Sequence, residues 1–527
     1  MQAFAVSYSR YVITAVIALY TVLGFAALRL PLPVKRGVEV VQRLCIAAFL
    51  ITAYLTLSIV TRSAPMFTFG MIQAAIFLIC ALLYRRLYLY ANMQMFNHIC
   101  MFLSIGIAMI SRINFSKGIR QFVIAAAGLI FMIFFPRIRE RLDHLQRFCY
   151  FYAVVGIALL CSVLVLGAFT NGSKLNITVL GLTLQPSEFV KILFLLFLAG
   201  ALCEPLTRMQ LVLLSLTAAA HVGILLISRD LGSAVIFFVT YIFLLFLASG
   251  KTEYLVGGLI VGAVGAVLCY FLFSHFRVRV QVFLDPWSSI DGSGYQITQS
   301  LFAISYGGLW GAGLGQGLPS SIPFVESDFI FSAIAEEMGI IVCICLILMC
   351  ILVFLDLMHL ASGFLSRYYQ MFVFGAAGMY LFQTFMTVGG EVKFIPLTGV
   401  TLPLVSYGGS SVLATMIMFG IVGTIFILQS EQLERFRIRY EQEQEEAAGR
   451  AAAARARAAQ RQPEFVRTYT RKKARPADAG NTSGSGAVAM AVGKPENEAE
   501  KHYMDDFAGV PYYDPETDYE GITHFDV

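Results

Sequence analysis

Asp328 stands in the run Ser327-Asp328-Phe329-Ile330-Phe331, where a long polar interval gives way to an apolar one. Residues 276–327 are the longest non-apolar stretch before the C-terminal tail and are rich in Gly, Ser, Pro and Gln. Phe331 to Leu355 then reads as a membrane-spanning helix. A carboxylate at that junction sits between water and lipid, where a membrane-anchored substrate could present a hydroxyl or a phosphate. The competing reading makes Asp328 a helix cap that accepts backbone N–H bonds at the positive end of the dipole. Position alone leaves both open.

Other polar groups mark possible partners for that carboxylate. Glu188 and Lys191, in Pro186-Ser187-Glu188-Phe189-Val190-Lys191, are three apart and share a helix face, either as a local ion pair or as the lining of a substrate groove. Asp230, in Arg229-Asp230-Leu231-Gly232-Ser233, reads as the cap of the helix that follows. Arg277 and Arg279 would face one way on an extended segment and could hold a pyrophosphate, or simply anchor to lipid phosphates. The glycines at 307, 308, 311, 313, 315 and 317 make either a mobile flap over a ligand or a compact crossing. Helical geometry puts Glu336 within roughly 80° of Asp328 and about 12 Å deeper, with Glu337 on nearly the opposite face, so one of the two is expected in the same cavity. Finally, Gly389 to Gly399 with Lys393, Leu402-Pro403 and Ser406 to Ser411 read as a re-entrant or broken segment, tolerated at membrane depth only where it lines protein or a polar cavity.

The elements that must position these groups are membrane spans. With 58% hydrophobic and 13% charged residues, the chain reads as an integral membrane protein. Thirteen apolar runs approach spanning length: 11–30, 44–61, 65–84, 93–110, 121–135, 149–169, 187–203, 209–227, 232–249, 253–275, 331–355, 368–388 and 409–428. No signal-peptide cleavage site follows the first run. Lys35, Arg36, Arg43, Arg85, Arg86, the arginines at 137–147, Arg208, Lys251, Arg367 and Arg435–Arg439 all fall on one side if the N-terminus is outside and the C-terminus cytoplasmic. Arg112, Lys117 and Arg120 violate that rule. The long 276–327 loop is then outside.

Three blocks follow: plain hydrophobic spans in 1–90, every polar motif in 91–430 (with the large loop at 276–330), and a polar tail of low complexity in 431–527. The tail opens with a charged helix at Glu431–Glu446, runs through an Ala/Arg tract and Arg471-Lys472-Lys473, where anionic membrane lipids are conceivable partners, and ends acidic and aromatic. The ten cysteines fall in or beside spans, without partners at ligand spacing, and read as packing residues. A net charge of +5 concentrated in inner loops and tail does not imply nucleic acid.

Taken in order, these motifs resemble the SEDS family (shape, elongation, division, sporulation), the FtsW/RodA/SpoVE type. The resemblance rests on Gln185-Pro186-Ser187-Glu188 with Lys191; Asp230-Leu231-Gly232; Arg277 and Arg279 before Leu284-Asp285-Pro286; Tyr295-Gln296 with Gln299-Ser300; Ser327 to Phe331 with Ala335-Glu336-Glu337; and Ile395-Pro396-Leu397-Thr398-Gly399 through Ser410. It covers about residues 90–430. It implies an all-α polytopic fold with a ten-helix core in spans 4–13, the first three spans being an addition. It also implies a peptidoglycan glycosyltransferase that polymerises lipid II at the outer face of a bacterial cytoplasmic membrane, in partnership with a class B penicillin-binding transpeptidase. Asp328 matches the family's essential carboxylate, a base for the acceptor hydroxyl. Arg277, Arg279 and Lys393 would offset charge on the leaving pyrophosphate, and Glu188, Lys191, Gln299, Glu336 and Ser406 would contact substrate. No resident metal is required by the sequence; a divalent cation (Mg or Mn) is the only cofactor considered.

The chain departs from the family pattern where an Arg-Trp pair is usual before Gln185, in having Arg229 for the usual proline, and in having Thr387 for the usual asparagine. Two other functions fit a polytopic chain with buried charge. A flippase for lipid-linked precursors would concentrate its polar groups at the bilayer midplane; a non-catalytic scaffold would rely on the tail.

Overall fold

The computed structural model describes residues 2–166, 168–170, 173–179 and 182–460. The basic run at 471–473 and the acidic aromatic end of the tail lie outside them. Two compact units divide the chain, one reaching Gln429 and the other starting at Ser430. The helices are α1 (Gln2–Ala27), α2 (Leu32–Thr61), α3 (Ala64–Leu87), α4 (Met93–Ile113), α5 (Phe115–Phe134), α6 (Cys149–Leu166), α7 (Pro186–Leu202), α8 (Arg208–Ile227), α9 (Leu231–Ser249), α10 (Thr252–Leu272), α11 (Ser274–Leu284), α12 (Tyr295–Gly307), α13 (Ile330–Met338), α14 (Ile340–Ser362), α15 (Arg367–Glu391) and α16 (Gly409–Gln460). Between α6 and α7 a small antiparallel sheet orders its strands β1 (Ala168–Thr170), β2 (Ser173–Val179) and β3 (Leu182–Leu184) side by side.

Twelve helices among the described residues are long and apolar enough to cross a membrane, so this is a multi-pass membrane protein. The expected seventh span, α7, is shorter than these twelve, with 17 residues including Glu188 and Lys191. It is still within the range of about 17–25 residues that can cross, and counting it gives the odd number of spans that termini on opposite sides need. Every residue of α4 from Met93 to Ser111 is buried, because the N-terminal helices pack over it. Their seam is polar: Tyr20 Oη lies 2.9 Å from His98 Nδ1, Gln94 donates to the Gly24 carbonyl, and Asn97 donates to Gln42 Oε1. Buried amides and hydroxyls of this kind stay only where they are paired.

The expected single helix from Phe331 to Leu355 is two. Gly339, at φ +90°, separates α13 from α14. The Gly-rich chain after α12 lies in the break: Ala312 and Gly313 donate to the carbonyls of Glu336 and Glu337, while Ile340 and Ile341 donate to those of Gly308 and Leu309. A Cβ on Gly339 would sit 2.4 Å from Gly311 N and Leu309 O, which are backbone atoms that cannot swing aside. Gly339→Ala should therefore lower the melting temperature well beyond the strain of a positive φ alone, about 1–3 kcal/mol. Gly257→Ala, which meets nothing within 4 Å, is the control. Equal melting curves for the two variants in detergent would reject this packing.

The glycine run is thus the compact crossing and not a flap. Glu337 accepts from the N–H groups of Gly315 (2.8 Å) and Gly317 (3.1 Å), and Glu336 accepts from Leu318 N at 2.7 Å. Both carboxylates, not one, serve this loop. Glu336 is accordingly not a deeper wall of an Asp328 cavity: its placement at the helix break turns it to Leu318 instead.

Two of the three basic groups that break the charge rule are tied to the same loop. Arg112 pairs with Glu337 (3.2 Å) and donates to the Gly317 carbonyl, and Lys117 pairs with Glu326 while lying over the Tyr407 ring.

Candidate active site

Asp328 lies in the turn that leads into α13, half-buried, its N–H bonded to the Phe324 carbonyl. It is not the cap of that helix. Phe329 occupies the N-cap position, and no side chain of that residue satisfies the first turn. The acceptor comes from Glu391 at the end of α15, whose Oε2 takes bonds from Ser332 N (2.9 Å) and Ser332 Oγ (2.8 Å). The Asp328 carboxylate is left for other work.

Two segments meet beside it. Arg279, on α11, donates through Nη1 to the carbonyls of Leu397 (3.0 Å) and Thr398 (2.8 Å), and its charge acts on both Asp328 and Asp230. Gly399, at φ +70°, brings the backbone against the pair: a Cβ there would lie 3.7 Å from Asp328 Oδ2 and 4.0 Å from Arg279 Nη2. The broken segment is real, with no helix between Glu391 and Gly409, and it is fastened from several sides. Ser406 Oγ donates to the Ser327 carbonyl at 2.6 Å, Tyr407 N to the Glu326 carbonyl at 2.7 Å, and Gln121 Nε2 to the Ser406 carbonyl at 2.9 Å. Ser406 therefore fixes the Asp328 turn through its hydroxyl.

Several expected neighbours are elsewhere. The segment carrying Arg277 and Arg279 is helical and not extended, so residues two apart point about 200° away from each other. Arg277 accordingly turns outward, donating to the Tyr270 and Phe271 carbonyls at the end of α10. Gln299 is half-buried on α12, and no hydrogen bond or ion pair among the described residues joins it to Asp328. Lys393 is half-buried at φ +58°, on the segment leading to Gly399. Glu188 and Lys191 make the buried pair at 2.8 Å, and Lys191 also donates to Gln383 Oε1 at 2.8 Å. Gln383 in turn donates to the Thr401 carbonyl, and Ser187 Oγ to Asp230 Oδ2. Asp230 caps α9 through Ser233 N at 3.1 Å, as the turn sequence suggests. Lys191 and Gln383 thus tie α7 to the broken segment, and with Glu188, Tyr380 and Thr415 they line a small pocket.

Burial holds the Asp328 carboxyl above the ordinary aspartate range; the Ser327 hydroxyl and the Arg279 charge pull it back, and Glu326 pushes it up. A base must be deprotonated to act, so activity that needs it is lost as pH falls through that raised value. The acid limb of kcat/KM should lie above about pH 4, the region of an unperturbed aspartate. The residual rate of Asp328→Asn should lack that limb. A limb unchanged in the variant would assign it to another group.

The profile of the cell cycle protein family of FtsW, RodA and SpoVE matches residues 84–431. The chain belongs to that family. Among its relatives, the peptidoglycan glycosyltransferase RodA of Mycobacterium tuberculosis is 30% identical over 433 residues, which cover 75% of this chain and 91% of that one. The probable peptidoglycan glycosyltransferase FtsW of Aliivibrio salmonicida is 36% identical over 276 residues, 49% of this chain and 68% of its own. Among solved structures, a chain from a study of how a peptidoglycan synthase complex coordinates polymerization and crosslinking aligns at a TM-score of 0.57 with 28% identity, over 64% of this chain and 98% of that chain. The rod shape determining protein RodA of Thermus thermophilus aligns at 0.50 with 26% identity, over 64% and 97%. Like other members of this SEDS family, the chain is a helical polytopic protein, and its candidate site falls within the matched region. Among the described residues no group of three or more His, Cys, Asp or Glu is placed to hold a metal ion.

Proposed function

We propose that this SEDS protein is a glycosyltransferase that polymerises lipid II, the undecaprenyl-pyrophosphate-linked disaccharide pentapeptide, into glycan strands for division or elongation. The observation that carries the reading is a half-buried Asp328 carboxylate, relieved of capping, beside the Arg279 guanidinium. The 4-hydroxyl oxygen of the acceptor GlcNAc attacks the anomeric carbon of the donor MurNAc. Asp328 takes the hydroxyl proton as the new C–O bond forms. The bond to the pyrophosphate breaks, and that group leaves with the electron pair. Arg279 meets the developing charge, with Lys393 as a second cation on the same wall. A divalent ion (Mg or Mn) would add a further positive charge at the pyrophosphate, held by Asp328 and the substrate's own phosphates.

The reading places the 276–330 region outside, the N-terminus outside and the C-terminus in the cytoplasm of a bacterial cell. The Lys and Arg residues of the other short loops support that orientation, with Arg112, Lys117 and Arg120 as the exceptions. A class B penicillin-binding transpeptidase is the partner the reading requires, supported by the likeness to a chain of a peptidoglycan synthase complex. The test uses purified protein in liposomes loaded with lipid II, with glycan polymer and transbilayer movement of lipid II read from the same sample. Polymer is expected. Movement without polymer would replace the enzyme by a flippase, and neither would leave a scaffold.

A further inference from the structure

Resting on the assignment of Asp328 as the base, we propose that Glu391 is a positioning residue for the transfer. By capping α13 from another helix, it keeps the Asp328 carboxylate off that helix end and available to the acceptor hydroxyl.

The first turn of a helix exposes N–H groups that need acceptors, and its dipole attracts negative charge. Here the N-cap residue is Phe329, fully buried and without an oxygen to offer. The nearest carboxylate along the chain is Asp328, one residue earlier. Unopposed, that carboxylate is the natural occupant of the site, and occupying it would spend its lone pairs on backbone. Glu391 fills the place instead, from 59 residues beyond Ser332.

The contact is built and not incidental. Glu391, Ser332 and Ser300 are each fully buried. Ser300 Oγ, on α12, lies 2.6 Å from Ser332 Oγ and donates to the Glu391 backbone carbonyl at 3.0 Å, so α12 holds the main chain of Glu391 while α13 holds its carboxylate. Its second oxygen, Oε1, is buried with no hydrogen-bond partner among the described residues. A half-satisfied buried carboxylate is a poor choice for stability alone. What it does fix is geometry. Glu391 ends α15 and opens the segment whose Leu397 and Thr398 carbonyls hold Arg279 and whose Gly399 borders Asp328. One contact therefore locks the base-bearing turn to the cation-bearing wall.

The test compares full-length Glu391→Ala, Glu391→Gln and wild type for steady-state polymerisation of lipid II, with melting curves taken alongside. Glu391→Ala should lose on the order of 10- to 100-fold in kcat, the cost of an ångström-scale misplacement, with KM for lipid II within about twofold. Glu391→Gln keeps an oxygen for the Ser332 N–H and should recover most of the rate. Wild-type kcat in Glu391→Ala, or a Glu391→Gln as slow as Glu391→Ala, would overturn the proposal. Where Glu391→Ala does not fold, Glu391→Asp takes its place: one methylene shorter, it should lose the contact and the rate, and a rate equal to that of Glu391→Gln would overturn it. Asp328→Asn run in parallel separates the two claims. Full activity there removes the base itself, whereas a dead Asp328→Asn beside an unimpaired Glu391→Ala removes only the positioning role.

Discussion

Asp328→Asn should cut glycan synthesis to a small residual rate while leaving the protein folded and able to bind lipid II. Asparagine matches the carboxylate in shape and can accept a hydrogen bond from the acceptor hydroxyl, but it cannot take the proton. General base catalysis contributes about 10²–10⁴-fold, so a loss of that order in kcat is expected, with KM nearly unchanged. Stability should move the other way. The folded state holds the Asp328 carboxyl above its ordinary value, so ionisation at neutral pH costs folding free energy that returns only as pH falls through the raised value. A neutral amide escapes that cost, and the melting temperature at pH 7 should equal or exceed wild type. Loss of activity with a raised melting temperature marks a functional group and not a structural one.

Arg279→Ala should have the next largest effect. Removing a preorganised donor aimed at developing charge costs about 10²–10³-fold in kcat. This arginine also ties α11 to the carbonyls of Leu397 and Thr398, so its loss frees the wall beside Asp328. Arg279→Lys separates the two contributions. It keeps the charge but lacks the further guanidinium N–H groups that remain to meet the leaving group once Nη1 has bonded the two carbonyls, and should recover only part of the rate. Activity of Arg279→Ala within about threefold of wild type would deny both roles. Arg277→Ala, whose side chain turns away to α10, should stay near the wild-type rate.

Much of this was legible before any coordinates. The apolar runs gave the spans, and the polar residues interrupting them gave Glu188, Lys191, Asp230 and the broken segment after Glu391. What stayed hidden were contacts between segments distant in sequence. The apolar run through Gly339 carries no sign that another piece of backbone crosses it, so one long span was expected where α13 and α14 meet. That break is why Glu336 and Glu337 both reach the glycine loop. Treating residues 277–279 as extended put Arg277 and Arg279 on one face, and the helix α11 sends them apart. Glu391 and Gln121 carried only a weak signal, a single polar residue beside apolar neighbours. Their roles depend on Ser332 and Ser406, which sequence spacing cannot place beside them. Arg112 and Lys117 did announce themselves, as exceptions to the charge rule, and each is paired with a carboxylate of the loop.

The central claim is that Asp328 performs the proton transfer in lipid II polymerisation. Its most direct test is glycan polymer formed from lipid II by purified wild type and Asp328→Asn, side by side, with and without the transpeptidase partner. Polymer from wild type and at least about a hundredfold less from a variant that still binds lipid II is the result expected here; equal polymer from both would contradict it.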